Sequence, residues 1–209
     1  MAADTHPLER FGLAAVVLAA TVVAASHQAF AQAGCASEDF TAWAVNRGPS
    51  AFFLTTIVDI HVARWSTERE KDRFVRALLD EGPAALQRTF RQSSPVGAIR
   101  SPVTFPDDIV FAWQEPSLDG GRRIVLITDR PMALWTEAMR VSEDTFTVLE
   151  LRIGANGDGE GKAEIGSNVT VDRNLDLIEL KDYAASPVRL IEVRSRVVTS
   201  EVGEGHDGR

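Results

Sequence analysis

The residues that most invite a chemical reading sit in a short alternating run, Phe146-Thr147-Val148-Leu149-Glu150-Leu151-Arg152-Ile153. In an extended strand Phe146, Val148, Glu150 and Arg152 share one side, so a carboxylate and a guanidinium meet on an otherwise apolar face. If that face lines the inside of a barrel, the pair is buried, costly unless matched, and the kind of charge that marks a functional pocket. If the face is solvated, it is an ordinary surface pair worth little. Four tryptophans, Trp43, Trp65, Trp113 and Trp135, are many for 209 residues. They serve either as core filling or as the lining of an apolar cavity for a small ligand. The candidate ligand-binding set is therefore Arg100, Trp113, Trp135, Glu150 and Arg152.

Other chemistries find less. Asn156-Gly157-Asp158-Gly159-Glu160-Gly161 alternates oxygen-bearing residues with glycine, as the first half of a calcium loop does. Its twelfth position is Ser167 rather than a bidentate Glu, and its flanks read as strands, so a solvated hairpin loop is the expectation. Of four histidines, His6 and His27 lie in the leader and His206 in the tail, which leaves His61 within a strand and one cysteine, Cys35. That is too little nitrogen and sulfur for a zinc cluster, and no metal is implied. No G-x-S-x-G elbow, Walker loop or glycine fingerprint is present, so no catalytic residue is assigned and no cofactor is expected.

The elements that must position these residues are mostly strands. Phe40–Val45 reads as the first. Ile57–Trp65 alternates, with Val58, Ile60 and Val62 on one side and Asp59 and His61 on the other. Thr67-Glu68-Arg69-Glu70 is a capping box, in which hydroxyl and carboxylate satisfy each other's orphan N–H groups. Phe74, Val75, Leu78 and Leu79 follow at helical spacing, and Gly82-Pro83 starts a second helix carrying Leu86 and Phe90. Arg64, Arg69, Lys71, Arg73, Arg76, Arg88 and Arg91 surround this hairpin, which is locally basic and reads as a solvated outer face. Strands resume at Val96–Arg100, Ile109–Glu115 and Arg122–Asp129, the last two joined through the hairpin signal Asp119-Gly120-Gly121. Met132–Trp135, Phe146–Ile153, Lys162–Val171, Leu175–Leu180 and Val188–Val193 complete the set. The fold class is mainly β: an antiparallel barrel or sandwich of about 8–10 strands. The inserted helical hairpin, about residues 67–92, is expected to plug one end or cover an exposed edge.

At the start of the chain, Phe11 to Ala25 is uncharged and apolar, too short to span a bilayer comfortably and suited to a signal h-region. Ala29-Phe30-Ala31 offers a small-x-small cleavage site, so residues 1–31 read as a secretory signal peptide, 36–196 as a single β-rich domain, and 197–209 as a disordered tail. Gln32-Ala33-Gly34-Cys35 also resembles a lipobox, in which Cys35 would be acylated. Gln32 where Leu or Val is usual, and the long gap after the h-region, argue against it. A membrane association is expected only if Cys35 is lipidated. With one cysteine no intramolecular disulfide forms, and the core must hold the fold unaided. The formal net charge is −8, of which the leader's Asp4, Glu9 and Arg10 contribute −1. An acidic surface without a basic stripe argues against nucleic acid as a partner.

Several segments together resemble a family of exported bacterial proteins without an assigned activity. They are Arg64-Trp65-Ser66-Thr67, Val96 to Pro102, Asp119 to Val125, Thr128-Asp129-Arg130, Phe146-Thr147 with Leu149-Glu150, Gly159-Glu160-Gly161-Lys162, and Tyr183 with Pro187-Val188. The likeness spans about Ile57 to Arg194 and departs from the pattern at Ala98, where an aromatic is usual, and at Asp182, where Asn is usual. It implies export and a single domain, and it supplies no chemistry.

The leading expectation is thus an exported envelope or periplasmic domain that is not an enzyme and binds a small apolar ligand. One alternative is an interaction module, using a sheet edge or the basic hairpin on an envelope protein or other anionic partner. A second is a hydrolase with a carboxylate site around Glu150.

Overall fold

A computed structural model describes residues 37–46, 55–102, 104–132, 146–165, 169–172, 177–180 and 188–197. Eight antiparallel strands close into a barrel in the order β1-β10-β7-β6-β5-β4-β3-β2, and β8 and β9 form a separate two-stranded sheet. The strands are β1 (Glu38–Asn46), β2 (Thr55–Val62), β3 (Gly97–Ser101), β4 (Thr104–Pro116), β5 (Arg122–Thr128), β6 (Thr147–Ile153), β7 (Asp158–Ile165), β8 (Val169–Asp172), β9 (Leu177–Leu180) and β10 (Val188–Val197). Two helices, α1 (Glu68–Glu81) and α2 (Pro83–Arg91), stand between β2 and β3. Of the two architectures left open, the barrel is the one adopted.

The strands form where the alternation is clearest. In β1, Phe40, Ala42 and Ala44 are buried and face inward, as are Val58, Ile60 and Val62 of β2. They meet Ile99, Ile109, Ala112, Ile124, Leu126, Leu149, Leu151, Ile153, Ala163, Val188, Leu190 and Val193 in one packed interior. Small residues on β7 let large ones cross the barrel: a Cβ on Gly161 would stand 2.5 Å from Leu151 Cδ2. The interior is filled by the chain's own side chains and leaves no space beside Gly161. At one end Glu38, inward and buried, accepts hydrogen bonds from Arg122 and from Ser195 Oγ, and Arg122 Nη1 also donates to Gln114 Oε1 at 2.8 Å.

The turns follow their signals. Gly120 takes φ +80° in the β4–β5 hairpin, a left-handed conformation that glycine adopts without a Cβ clash. The capping box forms as read: Glu70 N–H donates to Thr67 Oγ1 (3.3 Å) and Thr67 N–H to Glu70 Oε2 (2.7 Å). Just before it, Ser66 N–H donates to Ala112 O and Ser66 Oγ accepts from Ala112 N–H, so the bulged middle of β4 anchors the start of α1. That anchor decides where the hairpin lies. It neither plugs an end nor covers an edge, since the closed barrel has no edge there. It lies on the outer wall of β4, β5 and β6. Phe74, Val75, Leu86 and Phe90 bury against Val110, Phe111, Val125, Ile127, Phe146 and Val148, with Ile178 and Leu180 of β9 closing the same cluster. Phe90 sits 4.8 Å from Phe74 and 5.1 Å from Phe146, ring centre to ring centre.

Several boundaries differ from expectation. Lys162–Val171 is not one strand: β7 ends at Ile165, and Val169–Asp172 belongs to the separate sheet with β9. The expected solvated loop at Asn156–Gly161 is shorter, because Asp158 already opens β7. Met132 is buried but outside any strand, and the rest of Met132–Trp135 lies outside the described residues. β10 runs to Val197, beyond the expected end at Val193; the expected tail after Val197, the leader and Cys35 lie outside the described residues. No helix among the described residues is long and apolar enough to cross a membrane.

Candidate functional site

The outer wall opposite the helices carries a groove of about 860 Å³ on β10, β1, β2 and β3. It is built from cross-strand rows. Register places Asp39 opposite Arg196 on one side and His61 on the other, with Ala98 opposite His61. One step along, Thr41 stands opposite Arg194 and Asp59, and Asp59 opposite Arg100. The side chains alternate with inward Phe40 and Ile60, so strand period alone turns them outward.

On β10 period alone would fail. Leu190 and Val193 are both buried inside, an odd separation that a regular strand does not allow. A bulge absorbs the extra residue: the register with β1 and with β7 shifts there, and Glu192 takes φ +52°. Among the described residues it is the non-glycine position with positive φ. The bulge puts Ile191, Arg194 and Arg196 all on the outside, where an unbroken strand would have turned both arginines into the barrel.

The groove's electrostatics are mixed in sign. His61 Nδ1 lies 2.6 Å from Asp39 Oδ1, both about half exposed, which leaves Nε2 for a ligand. Thr41 Oγ1 donates to Asp59 Oδ1 at 3.1 Å. Arg100, Arg194 and Arg196 have no ion-pair or hydrogen-bond partner among the described residues. Next to the polar rows lies an apolar one: Trp43 is 40% exposed and stands opposite Ile191 and Ile57, each 36% exposed.

A second, smaller groove of about 400 Å³ lies where Arg122, Arg123, Glu150 and Arg152 meet the β4–β5 turn and Leu180. Glu150 resolves the question posed by its strand in an unforeseen way. Its face is the barrel's outside, yet Glu150 is only 2% exposed, because β6 lies on the covered wall. Arg123 Nη2 donates to Glu150 Oε2 (3.2 Å) and Arg152 Nη2 to Oε1 (3.3 Å), so the carboxylate is matched by two guanidiniums. It is a satisfied buried charge at the margin of the second core.

The candidate ligand-binding set is therefore scattered. Glu150 and Arg152 share the second groove, and Arg100 lines the first. Trp113 belongs to neither: its ring stacks on Phe111, Lys71 Nζ lies 4.6 Å above it, and its Nε1 donates to Glu115 Oε1 at 3.2 Å. Trp65 is in the barrel core, and Trp135 lies outside the described residues. A scan of protein-family models, a search of curated proteins and a search of solved structures each found no match. The site must be read from its own geometry. Burial raises two carboxyls, Asp107 to about 6 and Glu115 above its usual range, and neither lines either groove. The basic hairpin is largely satisfied internally: Arg64 pairs with Glu70, which it holds down near 2, Lys71 with Glu68, and Arg88 with Glu81. Sequence reading missed Arg194 and Arg196 because they lie beyond the expected end of β10 and behind a bulge. Trp43 was visible only as one of four tryptophans.

Proposed function

We propose that the protein is an exported, non-enzymatic binding domain that takes its ligand on the bare outer wall of the barrel, in the groove between Arg100 and Arg196. One observation carries the reading: the barrel interior is packed with the chain's own side chains, while three guanidiniums without a partner among the described residues line an open groove on the outside. A small apolar ligand inside the barrel would need the space that Leu151, Leu190 and Gly161 already close. The hydrolase alternative centres on Glu150, whose two carboxylate oxygens are already taken up by Arg123 and Arg152. Strand addition has no free barrel edge to use. Export rests on the leader, and with it a ligand from the cell envelope or the medium.

The test is two-dimensional amide NMR of the labelled domain against a panel of envelope-type glycans, peptides and lipids. Shifts confined to β1, β2, β3 and the Arg194–Arg196 stretch are expected. Ligand shifts centred on β4–β6 or on inward residues such as Leu126 would overturn the reading, as would a panel that moves nothing.

A further inference from the structure

We infer that the ligand of this groove is an acidic oligosaccharide, a chain of sugar rings bearing carboxylate or sulfate groups, with Trp43 as its stacking platform. The inference rests on the groove being the binding surface. Three observations select this chemistry over others.

The first is the platform. A solvent-exposed indole flanked by Ile57 and Ile191 is a flat apolar strip on an otherwise polar wall. An amphipathic ring with one face of C–H bonds, such as a pyranose, covers it without burying a polar group. The second is the mixed sign of the rows beside it. Thr41 and Asp59 lie about 7 Å along the strands from Trp43 and Ile57, and Asp39 and His61 about 7 Å further. Asp39 and Asp59 are acceptors and would repel a ligand made only of anions. Hydroxyl groups donate to carboxylates and accept from guanidinium and imidazole, so a polyol satisfies both signs at once. The third is the excess of cations. Within the groove's lining Arg100, Arg194 and Arg196 stand against two carboxylates, one of them already in contact with His61, while Asp158 stands opposite Arg194 on β7 outside that lining; the formal net charge of the chain is −8. Unpaired guanidinium forks suit carboxylate and sulfate bidentately, and they complement an anionic group that the rest of the surface repels.

The bulge at Glu192 ties the parts together. It is the one irregularity that lets Ile191 of the apolar row and Arg194 of the charged row project from the same face of β10. The covered wall shows the contrast: there Arg123 and Arg152 are engaged with Glu150.

The experiment is isothermal titration calorimetry of the mature protein with oligogalacturonate, a neutral cello-oligosaccharide of equal length, polyglutamate, and phosphatidylglycerol vesicles. Oligogalacturonate is expected to bind, and Trp43→Ala and Arg194→Ala are each expected to weaken it by about tenfold or more. Both sites are on the surface, and unchanged near-UV circular dichroism verifies that the variants fold. Neutral oligosaccharide binding equally well, sensitive to Trp43→Ala but not to Arg194→Ala, would overturn the acidic part and leave the groove as a binding surface. Polyglutamate or vesicles binding more tightly, with Trp43→Ala silent, would overturn the glycan and point to a peptide or membrane ligand on the same arginines. Failure of all four probes would overturn this inference, whereas the NMR map decides separately whether the groove binds at all.

Discussion

On the wall of β4, β5 and β6 the outward residues are Val110, Phe111, Val125, Ile127 and Val148, and two helices and a small sheet lie on them. On the wall of β10, β1 and β2 the outward residues are Arg194, Arg196, Asp39, Thr41, Asp59 and His61, and the described residues leave them open as a groove. Both walls belong to the same closed barrel and enclose the same filled interior. The difference is in the second face. Strands buried on both faces read as near-continuous apolar runs, whereas strands with one wet face alternate. Charges on the covered wall, such as Glu150 and Arg123, are matched because burial makes an unmatched charge expensive. Charges on the open wall are exposed, so Arg100, Arg194 and Arg196 persist without partners among the described residues at little cost.

The comparison is most sharply tested by removing one aromatic from each wall. Phe90→Ala should cost about 3–5 kcal/mol in urea unfolding, because it empties the contact of α2 with Phe74 and Phe146. Trp43→Ala should shift stability by under about 1 kcal/mol, since its ring is already 40% exposed. Equal costs would mean that the bare wall is not bare. A similar pair compares the charges: Glu150→Gln should cost about 3 kcal/mol by stranding Arg123, whereas Arg152→Met, whose side chain is 55% exposed, should cost under about 1 kcal/mol. If both were neutral, the Glu150 cluster would be as wet as the groove.

Acid titration separates the inside of the barrel from its bare wall. Asp107 is held at about 6, chiefly by burial, with Asp129 and Asp108 adding to the rise and Arg130 opposing it. Its folded pKa lies above the unfolded value of 3.8, so the folded state binds the extra proton. The carboxylate therefore weakens the fold above pH 6, and stability should recover as pH falls from 6 towards 4. Asp107→Asn should flatten that rise and stabilise the protein at pH 7 by about 1–2 kcal/mol. A rise that persists in the variant would assign it to another group. The smallest expected effect is at the bulge. Glu192→Gly should raise stability by up to about 1 kcal/mol, because glycine takes φ +52° freely. Loss of stability would mean that the Glu192 side chain holds the bulge.

Much of the local structure was legible. The alternation of Val58, Ile60 and Val62, the capping box at Thr67 and Glu70, and the Asp119-Gly120-Gly121 turn all depend on neighbours within a few residues and stand where they were read, although β2 ends at Val62, short of the expected Trp65. The site was not legible, for reasons that can be named residue by residue. Arg194 projects outward only because one extra residue at Glu192 reverses the phase of β10, and with Leu190, Ile191 and Val193 all apolar the sequence does not say which of them faces inward. Asp39 and His61 became a pair only when β1 and β2 aligned in register. Glu150 looked like either an interior or a solvated charge, since nothing within β6 tells that another part of the chain covers its outer face.

Composition, period and turn chemistry by themselves determined a strand-rich domain with one capped helical hairpin, because those signals come from hydrogen bonds and side-chain directions spanning a few residues. Barrel closure, the wall on which the hairpin lies, and the gathering of Arg100, Arg194, Arg196 and Trp43 on the opposite wall were decided by the tertiary structure. They depend on contacts between residues far apart in sequence, and a single residue of register is enough to turn a side chain from one face to the other.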